Sequence, residues 1–194
     1  MNPAHRTWDG GDSDDVELLA TLPEGLRAAI AHPAGFSLHH GAIHFRGCVD
    51  HPDWHSLREA WYGERAFHRL YPAVFETDIP FAQDQLGDQY LIRGEEVFRL
   101  DAETGDVERF AADLGSFLAG MDDDIADYLN VGLEHQLQPG FLLHAYPPFC
   151  FAESGSGASL RPVPADELIR FHADLAAQIR DVPEGGKVTL TVTE

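Results

Sequence analysis

The stretch Asp78–Phe117 limits the possible folds more than any other part of the chain. It begins with a short apolar run, Ile79-Pro80-Phe81-Ala82, followed by a polar loop, Gln83–Asp88. Three strand-like runs come next, Tyr90–Ile92, Val97–Leu100 and Val107–Phe110. Gly-containing turns at Arg93-Gly94-Glu95 and Asp101–Asp106 divide them. Short β-rich runs separated by a few Gly, Asp and Thr residues make a meander, because Gly supplies the positive φ that tight hairpins need. The last run leads to a helix start at Asp113, whose carboxylate can cap the free amides of Leu114–Ser116. This sheet-then-helix unit is expected to be the core on which both ends pack.

Before it, residues 1–15 hold Asp9, Asp12, Asp14 and Asp15 among Gly and Ser, with Trp8 as the one large apolar group. That composition predicts a flexible acidic arm ahead of a single domain spanning 16–194. A helix is expected over about Leu22–Ala31, with Thr21 and Glu24 in a capping-box pattern and Leu22, Leu26 and Ile30 on one face. Residues 36–49 read as a hairpin turning at His39-His40-Gly41. Asp50-His51-Pro52-Asp53 then opens a second helix with Trp54, Leu57 and Trp61 as its buried stripe. A further helical turn through Phe67, Leu70 and Tyr71 stops at Pro72.

After the meander, Leu114–Leu129 reads as a helix with Phe117, Leu118, Met121 and Ile125 inward. Gly120 inside it costs on the order of 1 kcal/mol against Ala. Residues 139–163 are rich in Pro, Gly and aromatics: Pro147-Pro148 excludes a helix, Ser154–Gly157 reads as a flexible loop, and Ser159–Val163 is extended. A helix over Pro164–Arg180 follows, and Val188, Leu190 and Val192 alternating with Thr residues predict a terminal strand.

Thirteen Lys and Arg face 33 Asp and Glu, a formal charge of −20. Such a chain repels nucleic acid and anionic membrane and attracts basic partners, although solubility alone also accounts for acidity. No apolar run approaches the roughly 20 residues that span a bilayer, and the N-terminus shows no signal-peptide pattern. With no export signal, Cys48 and Cys150 are expected to be reduced thiols of a cytoplasmic protein.

Catalytic constellations are weak. His39, His40, His44, His51 and His55 lie close in sequence with Asp50 and Asp53, and His51 and His55 are four apart. No HExxH pattern accompanies them, so they are expected to be turn residues and exposed strand positions rather than metal ligands. Ser154-Gly155-Ser156-Gly157 is not a nucleophile elbow, and Cys150 has no adjacent cation to activate it. Gly10-Gly11 is followed by acids that repel phosphate. Neither an enzyme nor a cofactor is expected.

The segment resembles the signature of the SUKH superfamily, the Smi/Knr-type cell-wall-assembly-regulator and bacterial immunity family. The matching residues are Ile79, Pro80, Phe81, Ala82, Asp84, Gly87, Asp88, Asp101, Gly105 and Phe117, with Leu22-Pro23-Glu24-Gly25-Leu26-Arg27 upstream. Where many members carry an Asn-Gly pair after that helix, this chain has His32-Pro33-Ala34-Gly35. The resemblance implies an α+β fold with a central, mostly antiparallel sheet flanked by helices. For bacterial members it implies a non-catalytic immunity protein that neutralises a cognate toxin, often a nuclease, by binding it. A regulator or adaptor binding another cellular protein is the alternative, and a histidine-based metal enzyme a more distant one. The partner contact is expected on acids around the sheet, Asp84, Asp88, Glu95 and Glu96.

Overall fold

The computed structural model of the chain describes residues 5–183 and 185–187. The fold is α+β: a seven-stranded antiparallel sheet in strictly sequential order, a separate two-stranded hairpin, and helices packed on them. The sheet runs β1 (Arg6–Asp9), β2 (Phe36–Leu38), β3 (Ile43–Phe45), β4 (Ile79–Asp84), β5 (Gln89–Arg93), β6 (Glu96–Leu100) and β7 (Val107–Ala111). The meander read from Asp78–Phe117 therefore continues into the N-terminal third of the chain.

Three corrections follow. The expected flexible arm contributes β1, which pairs with β2 at the sheet edge, Arg6 opposite Leu38 and Asp9 opposite Phe36. The apolar run at Ile79 is itself a strand. All six residues of β4 are buried, so no in–out alternation marks it. Phe141–Tyr146 forms β8, which pairs along its whole length with β9 (Ser159–Pro164).

The helices divide between the two faces of the sheet. Side chains alternate across a strand, and in β5 Tyr90 and Ile92 join one core while Leu91 joins the other. The larger core holds α1 (Val16–Thr21), α2 (Glu24–Ile30) and α5 (Leu114–Leu129) against Phe36, Phe45, Phe81 and Tyr90. The second core holds α3 (Leu57–Tyr62), α4 (Phe67–Leu70) and α6 (Ala165–Ile179) through Ala60, Phe67, Tyr71, Leu91, Leu100 and Ala176. A third cluster seats the β8–β9 hairpin on α6 through Leu142, Ala165 and Leu168.

Several helix boundaries differ from the sequence reading for local reasons. Thr21 does not cap α2; its hydroxyl donates back to Leu18 O at 2.7 Å, ending α1 instead. Residues 50–56 form turns. The second helix starts at Leu57, where the Ser56 hydroxyl accepts from Glu59 N–H. Trp54 thereby leaves the expected helical stripe. Helix α5 starts at Asp113 as the carboxylate cap predicts, accepting from Ser116 N–H. It breaks at Asp124 (φ −151°, ψ 96°), whose carboxylate accepts from Ala126 and Asp127 N–H and starts the final turns afresh. The break lets the Tyr128 ring fold over Gly120, where a Cβ would lie 2.4 Å from the ring. Among the described residues, no helix is long and apolar enough to cross a membrane. The expected terminal strand at 188–193 lies outside the described residues.

Candidate functional site

Two of the four acids expected to meet a partner are structural instead. Asp84 ends β4 only 1% exposed, and its Oδ1 accepts from Leu86 N–H at 2.9 Å and Asp88 N–H at 3.1 Å. Its Oδ2 accepts from the Tyr90 hydroxyl at 3.3 Å. Asp88 accepts from Ala102 N–H at 2.9 Å and faces Arg99 Nε at 3.3 Å, tying the β4–β5 turn to the Asp101–Asp106 turn. Burial and then the neighbouring Asp88 push Asp84 well above the usual carboxylate range, and burial lifts Asp88 to about 6. Gly87, at φ 95°, closes the same turn. Asp84 is buried against its own turn and Tyr90, and Asp88 is engaged by Ala102 and Arg99, so neither is presented to a partner.

Glu95 and Glu96 do reach the surface. Glu95 is exposed at the β5–β6 turn, and Glu96 is half-buried and pairs with Arg109 of β7. Immediately before them on β5, the Arg93 guanidinium grips Asp78, 0% exposed at its side chain, at 2.7 Å. Asp78 Oδ2 also accepts from Phe75 N–H at 2.8 Å, fixing the turn that carries Phe75. The Arg93 cation lies 4.0 Å from the centre of the Phe75 ring, which is 54% exposed. Next to Phe75, the Glu76 carbonyl accepts from Trp61 Nε1–H at 2.8 Å. Trp61 stacks on Tyr62, ring centres 4.6 Å apart, and Tyr62 is 45% exposed.

These contacts link Tyr62, Trp61, Phe75 and Arg93 into one held aromatic surface, with exposed Glu59, Glu64, Glu76 and Glu95 on the same segments. Sequence reasoning placed Trp61 in a buried stripe and passed over Tyr62 and Phe75. The available signal was the Trp61-Tyr62 pair: adjacent residues on a helix point about 100° apart, so both cannot face one core.

The histidines separate into two groups. His40 and His51 are exposed, His51 beside Asp53 at 3.2 Å. His44 and His55, expected at exposed or turn positions, are buried, and His44 Nε2 lies 2.8 Å from His55 Nδ1. His55 Nε2 lies 2.7 Å from Ala34 O, which can only accept, so that nitrogen carries the proton. His55 Nδ1 then accepts from His44 Nε2–H. The two imidazoles bond each other rather than converging on an ion. Burial lowers both, His55 to about 4, so both are neutral. Trp8 and Trp54 pack on the pair, with Trp8 4.7 Å from His55 and Trp54 4.9 Å from His44. A Cβ at Gly10 would lie 2.3 Å from the His55 ring, which gives that glycine a packing role. Among the described residues, no three His, Cys, Asp or Glu side chains are grouped to hold a metal ion.

No family model matches the chain, and no curated protein or solved structure is significantly similar to it.

Proposed function

We propose that this chain is a non-catalytic protein-binding module of the SUKH type, an immunity protein that binds and occludes a basic, nuclease-type toxin domain in the bacterial cytoplasm. The observation that carries the reading is the held aromatic surface of Tyr62, Trp61 and Phe75 bordered by acids on a chain of formal charge −20. Aromatic anchors surrounded by charge are what binding hot spots are made of. They lose little conformational freedom on docking when already held, as the Asp78–Arg93 pair and the Trp61 hydrogen bond hold them here. Long-range attraction between an acidic surface and a basic nuclease raises the association rate, while the aromatic contacts slow dissociation. Glu95 remains the best placed of the four acids expected from sequence. Asp84 and Asp88 have no part in this contact.

The test uses the protein as bait in lysate of its own strain, washed at low salt and at about 1 M salt, where surface charge attraction is screened. One basic nuclease domain is expected to survive the wash, and its activity should be blocked by equimolar bait. The double variant Tyr62→Ala, Phe75→Ala should retain its unfolding temperature and lose at least about tenfold in affinity. Recovery of only diffuse basic proteins that wash off with salt would refute the reading. Capture of a partner with no toxic activity would replace it with the adaptor alternative.

A further inference from the structure

Arg46 follows β3 directly, and its N–H donates to Phe81 O at 2.9 Å, extending the β3–β4 pairing by one residue. The residue is 1% exposed and is the largest fully buried side chain among the described residues. Its guanidinium donates from Nη1 to Pro80 O at 2.9 Å, and from Nη2 to Gln83 Oε1 at 2.7 Å and Gln89 Oε1 at 2.8 Å. It also sits 5.2 Å from the centre of the Phe67 ring. All of these partners are neutral.

That setting is unusual in this chain. Acids outnumber Lys and Arg 33 to 13, and the partly buried Arg58, Arg93 and Arg99 each face a carboxylate: Asp15, Asp78 and Asp88. Among the described residues, Arg46 has no carboxylate within salt-bridge distance. A buried charge met only by amide and carbonyl dipoles keeps much of its desolvation penalty, and an oxyanion is the group that offsets it. Burial alone pulls Arg46 down to about 9. The three hydrogen bonds leave one Nη1 hydrogen and the Nε hydrogen uncommitted; these two do not share an edge, and either can donate a single charge-assisted bond to a carboxylate.

Arg46 lines a cavity of about 450 Å³ between α3, α6 and the Trp54 turn. That volume lies within the range of small-molecule sites. Its apolar wall is Ala60, Phe67, Ile169 and the half-buried Trp54. Its mouth carries exposed Arg65 and Arg170 against four exposed acids, Asp53, Glu59, Glu64 and Asp166. Four acids at the mouth disfavour a dianion such as phosphate. They suit a ligand that presents one negative charge to Arg46 and a positive charge outward.

We propose that this cavity binds a small amino-acid-type zwitterion, its carboxylate paired with the Arg46 guanidinium, its ammonium toward the acids of the mouth and its apolar side chain against Trp54, Phe67 and Ile169. The proposal does not rest on the protein-binding reading, although Glu59 and Glu64 border both sites.

Calorimetric titration of the full chain with L-leucine and L-phenylalanine tests it. Parallel arms use L-phenylalaninamide, which lacks the carboxylate, 3-phenylpropionate, which lacks the ammonium, and inorganic phosphate. Saturable one-to-one binding of at least one of the two amino acids is expected, with a loss of about tenfold or more for the amide and a smaller loss for phenylpropionate. Arg46→Gln, which keeps a neutral donor beside Pro80 O, should abolish the binding. If that variant does not fold, the acid–amide comparison in the wild type decides. Absence of saturable binding by either amino acid, equal affinity for acid and amide, or tighter binding of phosphate would overturn the proposal.

Discussion

His172 gives the structure a measurable acid sensitivity. It lies on α6, 2% exposed, with His144 of β8 nearby and Gly87 opposite, where a Cβ would stand 3.3 Å from Nδ1. That Nδ1 is buried without a hydrogen-bond partner. Burial, and then the adjacent His144, lower His172 from 6.5 to about 3. A group with a folded pKa below its unfolded value binds more protons when unfolded. Its contribution to stability is therefore complete above about 6.5, falls as pH drops, and is exhausted near 3. At pH 5 the unfolded histidine has already taken up its proton and the folded one has not. The loss there is about 1.5 pH units at about 1.36 kcal/mol each, or roughly 2 kcal/mol. His172→Leu substitutes an apolar side chain of similar volume and removes the orphaned nitrogen. The variant should match or exceed wild type in urea unfolding at pH 7.5, and lose about 2 kcal/mol less than wild type on going to pH 5. Asp84 and Asp88 act in the opposite direction, because their folded pKa values are raised, but both proteins carry them and the difference cancels. Equal losses in wild type and variant would refute the argument.

Three other perturbations discriminate equally well. Gly120→Ala improves helix propensity but drives a methyl group into the Tyr128 ring. Overpacking should win, with a net destabilisation of about 1–3 kcal/mol in denaturant titration; a gain in stability would mean that the ring does not lie over Gly120. Asp84→Asn keeps the oxygen that accepts from Leu86 and Asp88 and removes a charge that burial disfavours. The variant should gain on wild type at pH 8 and converge with it below about pH 3, where Asp84 is protonated in both folded and unfolded protein. Burial, assisted by Asp15 at one site and Glu103 at the other, pushes the Cys48 and Cys150 thiols up to about 12. Iodoacetamide at pH 8 should therefore leave both unmodified in native protein and alkylate both in urea, as read by mass spectrometry.

The parts of the fold legible in the sequence are those where one face is wet. In β6 Val97 and Leu100 are buried on opposite faces with partly exposed residues between them, and Gly94 and Gly105 punctuate the meander at positive φ. The α6 helix shows itself through Leu168, Leu175 and the buried Ala165, Ala173 and Ala176. β4 escaped because both of its faces are covered, so periodicity carries no information there. β1 escaped for the opposite reason: four short residues at the edge of an acidic, glycine-containing stretch, recognisable only once Phe36–Leu38 is available to pair with them. The buried His44–His55 pair and Arg46 were invisible to any rule that sends polar groups outward, because their partners are 11 to 43 residues away.

The acids show the same limit and a way past it. Charge counting treats Asp84, Asp88, Glu95 and Glu96 as equivalent, yet Asp84 is consumed by its own turn and Asp88 by Ala102 N–H and Arg99. Turn chemistry separates them. An aspartate two residues ahead of a turn amide, with Gly87 completing the turn, has a side chain of the right length to accept from the backbone it precedes. Glu95 carries one more methylene and follows its glycine, so it extends away from the turn and stays solvated. In a chain where acids are everywhere, side-chain length and the position of the nearest glycine identify the free carboxylates better than charge does. By that criterion the exposed glutamates beside Phe75 and Tyr62, rather than the aspartates of the β4–β5 turn, are the acids available to a partner.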